Sequence, residues 1–178
     1  MIAREALLSI RPPFLHLLAG GVSDITDFAW SLAASNDDVV VRCLRGQKML
    51  TVERLFDEFA AALQFPYYLG ENWPAFHECL TDLSWLPGRA YILFIWDTAM
   101  LLRNEPLAEM AALCRALQAA GEEWATPVKM GEPWDRPAVP FHVLLQCTEP
   151  EYRVVQDRLA SVGAFVEDGG QYSAPRES

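Results

Sequence analysis

The sequence predicts an α/β fold with helices packed on a small, mostly parallel sheet. Three observations carry this. Val39 to Leu44, Ala90 to Trp96 and Pro140 to Cys147 are apolar runs of strand length. Stretches with helical periodicity lie between them. Strands alternating with helices imply right-handed crossovers, hence parallel neighbours.

Each element follows in order. Residues 1–37 hold an apolar stretch, Phe14-Leu15-His16-Leu17-Leu18, then Gly20-Gly21 and a short helix through Phe28 to Leu32. Their apolar content predicts an N-terminal extension packed on the main domain. Asn36-Asp37-Asp38 marks a turn into Val39 to Leu44, whose triple valine suits burial on both faces. Gly46-Gln47-Lys48 closes that strand. Thr51 caps a helix over 52–63, where Val52, Leu55, Phe56, Phe59, Ala62 and Leu63 share one side. Pro87-Gly88 turns the chain into the strand ending at Trp96. Asn104 reads as the cap of a helix ending near Gly121, with Leu107, Met110, Leu113, Cys114 and Leu117 inward. Glu122 to Val139, with several prolines and Trp124 and Trp134, reads as a long irregular connection of the kind that is functional or mobile. Thr148 to Glu151 resembles a capping box opening a helix through Leu159, and Ala164 to Glu167 is a further strand candidate. Residues from Gly169 on read as disordered. The organisation is therefore an N-terminal extension (1–37), a main domain (38–148) and a C-terminal extension (149–178).

The run Tyr68-Leu69-Gly70-Glu71-Asn72-Trp73-Pro74-Ala75-Phe76-His77-Glu78-Cys79-Leu80-Thr81-Asp82-Leu83 is the most informative. A bend at Gly70 precedes Asn72, whose amide suits an N-cap, and Pro74 falls in the first helical turn. Phe76, Cys79, Leu80 and Leu83 then form a buried stripe, while Pro74, His77, Glu78, Thr81 and Asp82 occupy the other face.

This segment resembles the signature of the barstar family, small intracellular inhibitors that plug ribonuclease active sites. Tyr68, Gly70, Glu71, Asn72, Ala75, Cys79, Leu80 and Thr81 carry the likeness. The resemblance covers roughly residues 38–148 and implies three parallel strands, no enzymatic activity, no cofactor and a basic ribonuclease or nuclease toxin as partner. It implies that Glu78 is the central inhibitory carboxylate, that Tyr68, Asn72 and Thr81 flank it, and that Gly70 lets the loop face the partner. His77 and Asp82 complete the partner-facing set. Pro74 stands where the family has an acidic residue, His77 where it has an aromatic, and Ala116 at a further acidic position. These departures favour a different cognate nuclease, engaged in part through Glu122 to Val139, or a regulatory interaction domain with another class of partner.

Composition agrees with a globular protein, at 178 residues, 52% hydrophobic and 21% charged. A formal charge of -10 disfavours direct nucleic-acid or anionic-membrane binding and would steer a basic protein inward. Arg4, Glu5, Arg11 and Pro12-Pro13 interrupt any apolar leader, and no uncharged run is long enough to span a bilayer, so a cytoplasmic location is expected. Cys43, Cys79, Cys114 and Cys147 form no Cys-x-x-Cys pair and read as buried free thiols. His16, His77 and His142 lack metal-ligand spacing, and His16 and His142 suit core positions. His77 and Glu78 are adjacent, so they point apart on a helix and form no catalytic pair. Nucleophile-elbow, phosphate-loop and dinucleotide motifs are absent.

Overall fold

The computed structural model describes residues 2–34, 38–67 and 70–171, with the Gln171 side chain excluded. The helices are α1 (Arg4–Leu7), α2 (Val22–Ala34), α3 (Val52–Leu63), α4 (Trp73–Asp82), α5 (Leu107–Ala125) and α6 (Tyr152–Ser161). The strands are β1 (Leu15–Ala19), β2 (Val39–Arg45), β3 (Ala90–Trp96), β4 (Phe141–Cys147) and β5 (Val166–Gln171). They form one parallel sheet in the order β2-β3-β4-β1-β5. Among the described residues the sheet thus has five strands, where the family resemblance implies three. The two additional strands, β1 and β5, lie outside residues 38–148, and β1 pairs with both β4 and β5.

Alternation along the strands divides the core. Tyr91, Leu93, Ile95, Phe141, Val143 and Leu145 face the side covered by α3 to α6. Ile92, Phe94, Trp96, Leu144 and Leu18 face the side packed with Leu7 of α1 and Ile25, Ala29 and Leu32 of α2. Every residue of β3 and β4 is buried, which is why both read as continuous apolar runs. β2 differs from expectation. It is an edge strand, and Val40 and Val41 are only half-buried.

Other boundaries move for identifiable reasons. Asn104 caps nothing: its N–H donates to Leu50 O, and α5 starts after Pro106 without a side-chain cap. α5 continues through Gly121 to Ala125, so the irregular connection starts later than its sequence suggests. Gly121 sits where Phe14 packs, and a Cβ there would lie 2.4 Å from the ring. The helix suggested at Phe28 to Leu32 extends over all of α2. The last strand begins at Val166 instead of Ala164, and Gly169 and Gly170 belong to it instead of to a disordered tail. The capping box at Thr148 and Glu151 forms and leads into α6.

Candidate functional site

The polar face of α4 is held on a well-braced helix. Asn72 Oδ1 accepts from Ala75 N–H at 2.9 Å, capping the first turn, and Pro74 follows where no N–H is required. Gly70 O accepts from Asn72 N–H at 2.8 Å, and a Cβ on Gly70 would meet the Asn72 amide at the same separation. This close approach fits a residue without a side chain. Leu83 ends the helix in the left-handed region, at φ 43°. Phe76 inserts among Phe56, Phe59, Phe65 and Trp73, with ring centroids 4.9–6.2 Å away. Trp73 Nε1 donates to Glu109 Oε2 at 2.8 Å, and Trp124 Nε1 to Leu80 O at 2.8 Å, fixing both ends of α4 to α5.

Four of the anticipated residues share the outer face of this helix. Glu78 and Asp82 are exposed one turn apart, and together with Gly70 they line a hollow of about 190 Å³ that also includes Cys79 and Trp85. Among the described residues the Glu78 carboxylate makes no hydrogen bond or ion pair, whereas Asp82 Oδ1 accepts from Ser84 N–H at 3.3 Å. The Thr81 hydroxyl donates back to His77 O at 3.0 Å and Glu78 O at 3.2 Å, so its proton is engaged within the helix. His77 is half-buried with Nε2 3.5 Å from Glu123 Oε2. Tyr68 lies outside the described residues. Asn72 does the work of a cap, and Ala116 is half-buried against the core from α5.

The sequence pattern hides Glu123, because Gly121 reads as a helix end and so places Glu123 in a loop. The pattern also makes all four cysteines read as buried, and Cys43 departs from that. Cys43 is exposed, while Cys79, Cys114 and Cys147 are buried and none is paired. Burial pushes the Cys114 and Cys147 thiols up to about 11. Cys79 is raised by burial first, and then by Glu78 and Asp82 beside it. Among the described residues no group of three or more His, Cys, Asp or Glu side chains is placed to hold a metal ion. No helix there is long and apolar enough to cross a membrane.

On the other side of the sheet the two remaining histidines form a buried chain with β5. His16 Nδ1 lies 2.7 Å from Glu167 Oε2, and His16 Nε2 lies 2.9 Å from His142 Nδ1. His142 Nε2–H donates to Ser9 O at 2.8 Å. Desolvation, then the charge of His142, lowers His16 to about 4 against the opposing influence of Glu167, and desolvation also lowers His142. The pair ties three strands together, and it faces away from α4.

A family model described as barstar (barnase inhibitor) matches residues 39–146, which spans the α4 signature and three of the five strands. The chain belongs to the barstar family. No curated protein matches it significantly. Solved structures of Drosophila ORC give distant likenesses. ORC bound to AT-rich DNA and Cdc6 matches at 15% identity and TM-score 0.47, over 92% of this chain and 50% of that one. ORC bound to GC-rich DNA and Cdc6 gives 14% and 0.46, over 92% and 51%, and ORC bound to DNA gives 13% and 0.45, over 92% and 83%. The chain spans about half the length of the first two. At these scores the likeness carries no conclusion about this barstar-family chain.

Proposed function

We propose that this barstar-family chain is an inhibitor or immunity protein that occludes the basic active site of a cognate ribonuclease or nuclease toxin. Its role is binding, not catalysis, and it acts in the cytoplasm. The observation that supports this most directly is the pair Glu78 and Asp82, exposed on a helix that is capped, terminated and clamped at both ends. A ribonuclease groove built of Arg, Lys and His to hold phosphate is matched by carboxylates fixed in place. Because α4 is already ordered, little conformational entropy is lost when its carboxylates are buried against cations. In this reading Glu78 is the central contact, Asp82, His77, Thr81 and Gly70 surround it, Tyr68 is a flanking anchor, and Asn72 holds the helix start. Residues 38–148 form the inhibitory domain, with 1–37 and 149–178 as its extensions.

The test is an inhibition titration against barnase and a panel of other small basic ribonucleases, with Glu78→Ala alongside the parent. Stoichiometric loss of ribonuclease activity is expected for the cognate enzyme. Glu78→Ala should weaken that binding by about 2–5 kcal/mol, and Asp82→Ala by less. Glu78→Ala should leave the denaturation midpoint nearly unchanged, since alanine is tolerated at an exposed helical position. Equal inhibition by Glu78→Ala and the parent would move the site off α4.

Pro74 and Ala116 favour a narrower version of this proposal. Both positions lack the carboxylate that the family resemblance assigns them, and charge pairs desolvated at such an interface can each be worth several kcal/mol. Barnase should therefore be bound less tightly than the cognate enzyme. A chain that bound a non-nuclease protein and no ribonuclease of the panel would instead support the regulatory-domain alternative.

A further inference from the structure

Beside the acidic face, past the C-terminal end of α4, lies a second cleft of about 800 Å³. Thr81 and Asp82 form part of its wall, Tyr91 and Trp124 lie buried against it, and Trp134 and Val139 line it from the segment after α5. Asp82 lines both this cleft and the hollow around Glu78, so the two adjoin at that residue.

The segment after α5 is rich in proline and charged residues, yet it is held firmly. The Arg136 guanidinium donates to Glu123 O, Trp124 O, Thr126 O and Pro137 O at 3.0–3.4 Å, and its carbon sits 4.2 Å from the Trp124 ring centroid. The Asp135 carboxylate accepts from Met130 N–H at 2.8 Å and Gly131 N–H at 2.9 Å. Val128 and Arg136 form an antiparallel bridge. On this fixed frame Trp134 remains 64% exposed. A large aromatic held open to water at the mouth of a preformed cleft offers contact area with little ordering cost, which is the character of an interface anchor.

The charges on the cleft select its occupant. Arg136 is committed to carbonyl oxygens and an aromatic face, and Arg89 at the rim is paired with Asp38 at 3.2 Å. Among the residues lining the cleft Asp82 is the sole carboxylate, at the edge shared with the hollow around Glu78, so a lysine or arginine of a partner is drawn to that edge. The lining away from it, Tyr91, Trp124, Trp134 and Val139, is apolar or aromatic and suits an uncharged side chain. We propose that the cleft is a second docking site for an aromatic or long aliphatic side chain that the nuclease carries beside the cations bound by Glu78 and Asp82, with Trp134 as the anchor. This inference rests on the inhibitor reading and supplies the contact that replaces the missing acidic ones.

The test selects binders to the full chain from a phage-displayed library of random 12-residue peptides and measures their affinities for the parent, Trp134→Ala, Ser84→Trp and Glu78→Ala. Trp134 and Ser84 are both exposed, so neither change disturbs the core, and Ser84→Trp places bulk at the edge of the cleft. Selected peptides should pair an aromatic or large aliphatic residue with a nearby Lys or Arg. Trp134→Ala and Ser84→Trp should each weaken them about tenfold or more, with thermal midpoints unchanged, and Glu78→Ala should weaken them as well. Peptides sensitive to Glu78→Ala but to neither cleft variant would overturn the cleft and leave the acidic helix standing. Sensitivity only to the cleft variants would break the link to the acidic face and count against the inhibitor reading. Failure to enrich any peptide, or enrichment of peptides lacking the apolar residue, would also overturn the proposal.

Discussion

Mild acid should destabilise this chain through His16 before most carboxylates begin to protonate. The three contacts running from Glu167 through His16 and His142 to Ser9 O require three protons, and two neutral imidazoles bring two. With His142 Nε2–H on Ser9 O and His16 Nε2–H on His142 Nδ1, the shortfall falls at Glu167, whose side chain is 44% exposed and can turn to solvent. Placing a third proton on His16 means charging an imidazole that is only 1% exposed, and desolvation, with the nearby His142, opposes that strongly enough to lower His16 from 6.5 to about 4. In the unfolded chain His16 titrates near its ordinary value. As pH falls below 6.5 the unfolded state takes up a proton that the folded state refuses, and stability is lost until the folded pKa near 4 is passed. The His16 contribution at pH 5 is a loss of about 2 kcal/mol, rising toward about 3 kcal/mol below the folded pKa. His142, also lowered by burial, acts in the same direction. Urea denaturation at pH 7.5, 6 and 5 should show the parent losing more stability than His16→Gln by roughly that amount. Equal pH dependence in the two would refute this account. A parent that gained stability relative to the variant on acidification would show that Glu167 outweighs desolvation and holds the third proton.

Three further outcomes follow from the packing. Gly121→Ala should gain about 1 kcal/mol of helix propensity and lose more than it gains, because its Cβ would lie 2.4 Å from the Phe14 ring; a net loss of about 1–2 kcal/mol by thermal denaturation is expected, and a more stable variant would contradict the close contact. Asn72→Ala should cost about 1 kcal/mol in chemical denaturation, since Ala75 N–H loses its acceptor, and an unchanged midpoint would remove the cap. At about pH 8 a thiol reagent should label Cys43 alone in the folded chain and the other three cysteines only after unfolding; fast labelling of Cys114 or Cys147 would be incompatible with thiols buried and raised to about 11.

Features fixed by neighbours in sequence were legible, and those fixed by distant partners were not. Thr51 and Asn72 announce the starts of α3 and α4 because a cap acts within one helical turn. β3 reads plainly because burial on both faces leaves no polar position in it. β1 is equally buried but short; its apolar run marks His16 as a core histidine, which it is, but nothing local reveals which partners, 126 and 151 residues away, satisfy it. Gly121 misled in the opposite way. A glycine in a helical pattern ordinarily suggests an ending, but here it makes room for Phe14, more than a hundred residues earlier. The valines of β2 signalled a strand without revealing that it lies at the edge.

The same distinction explains what the proposed site shows and what its sequence concealed. Glu78 and Asp82 share one face of one helix, so spacing alone places them together. Glu123 reaches that face only because α5 runs past Gly121, and its carboxylate then lies 3.5 Å from His77 across the seam between α4 and α5. The chain has no acid at Pro74, in the first turn of α4, yet carries Asp82 in the last turn and Glu123 alongside the middle. In the proposed reading the negative centre is therefore displaced toward the C-terminal end of the helix, next to the cleft bearing Trp134. Coulombic attraction falls with distance and is screened over roughly 8 Å in physiological salt, so a displacement of one or two helical turns changes which cations of a partner are engaged. A nuclease matched to this face needs its basic groove aligned with Glu78 and Asp82 and an apolar residue beyond them. Such a requirement selects against enzymes whose cations sit opposite the first turn, which is how the same helix scaffold can serve a different partner.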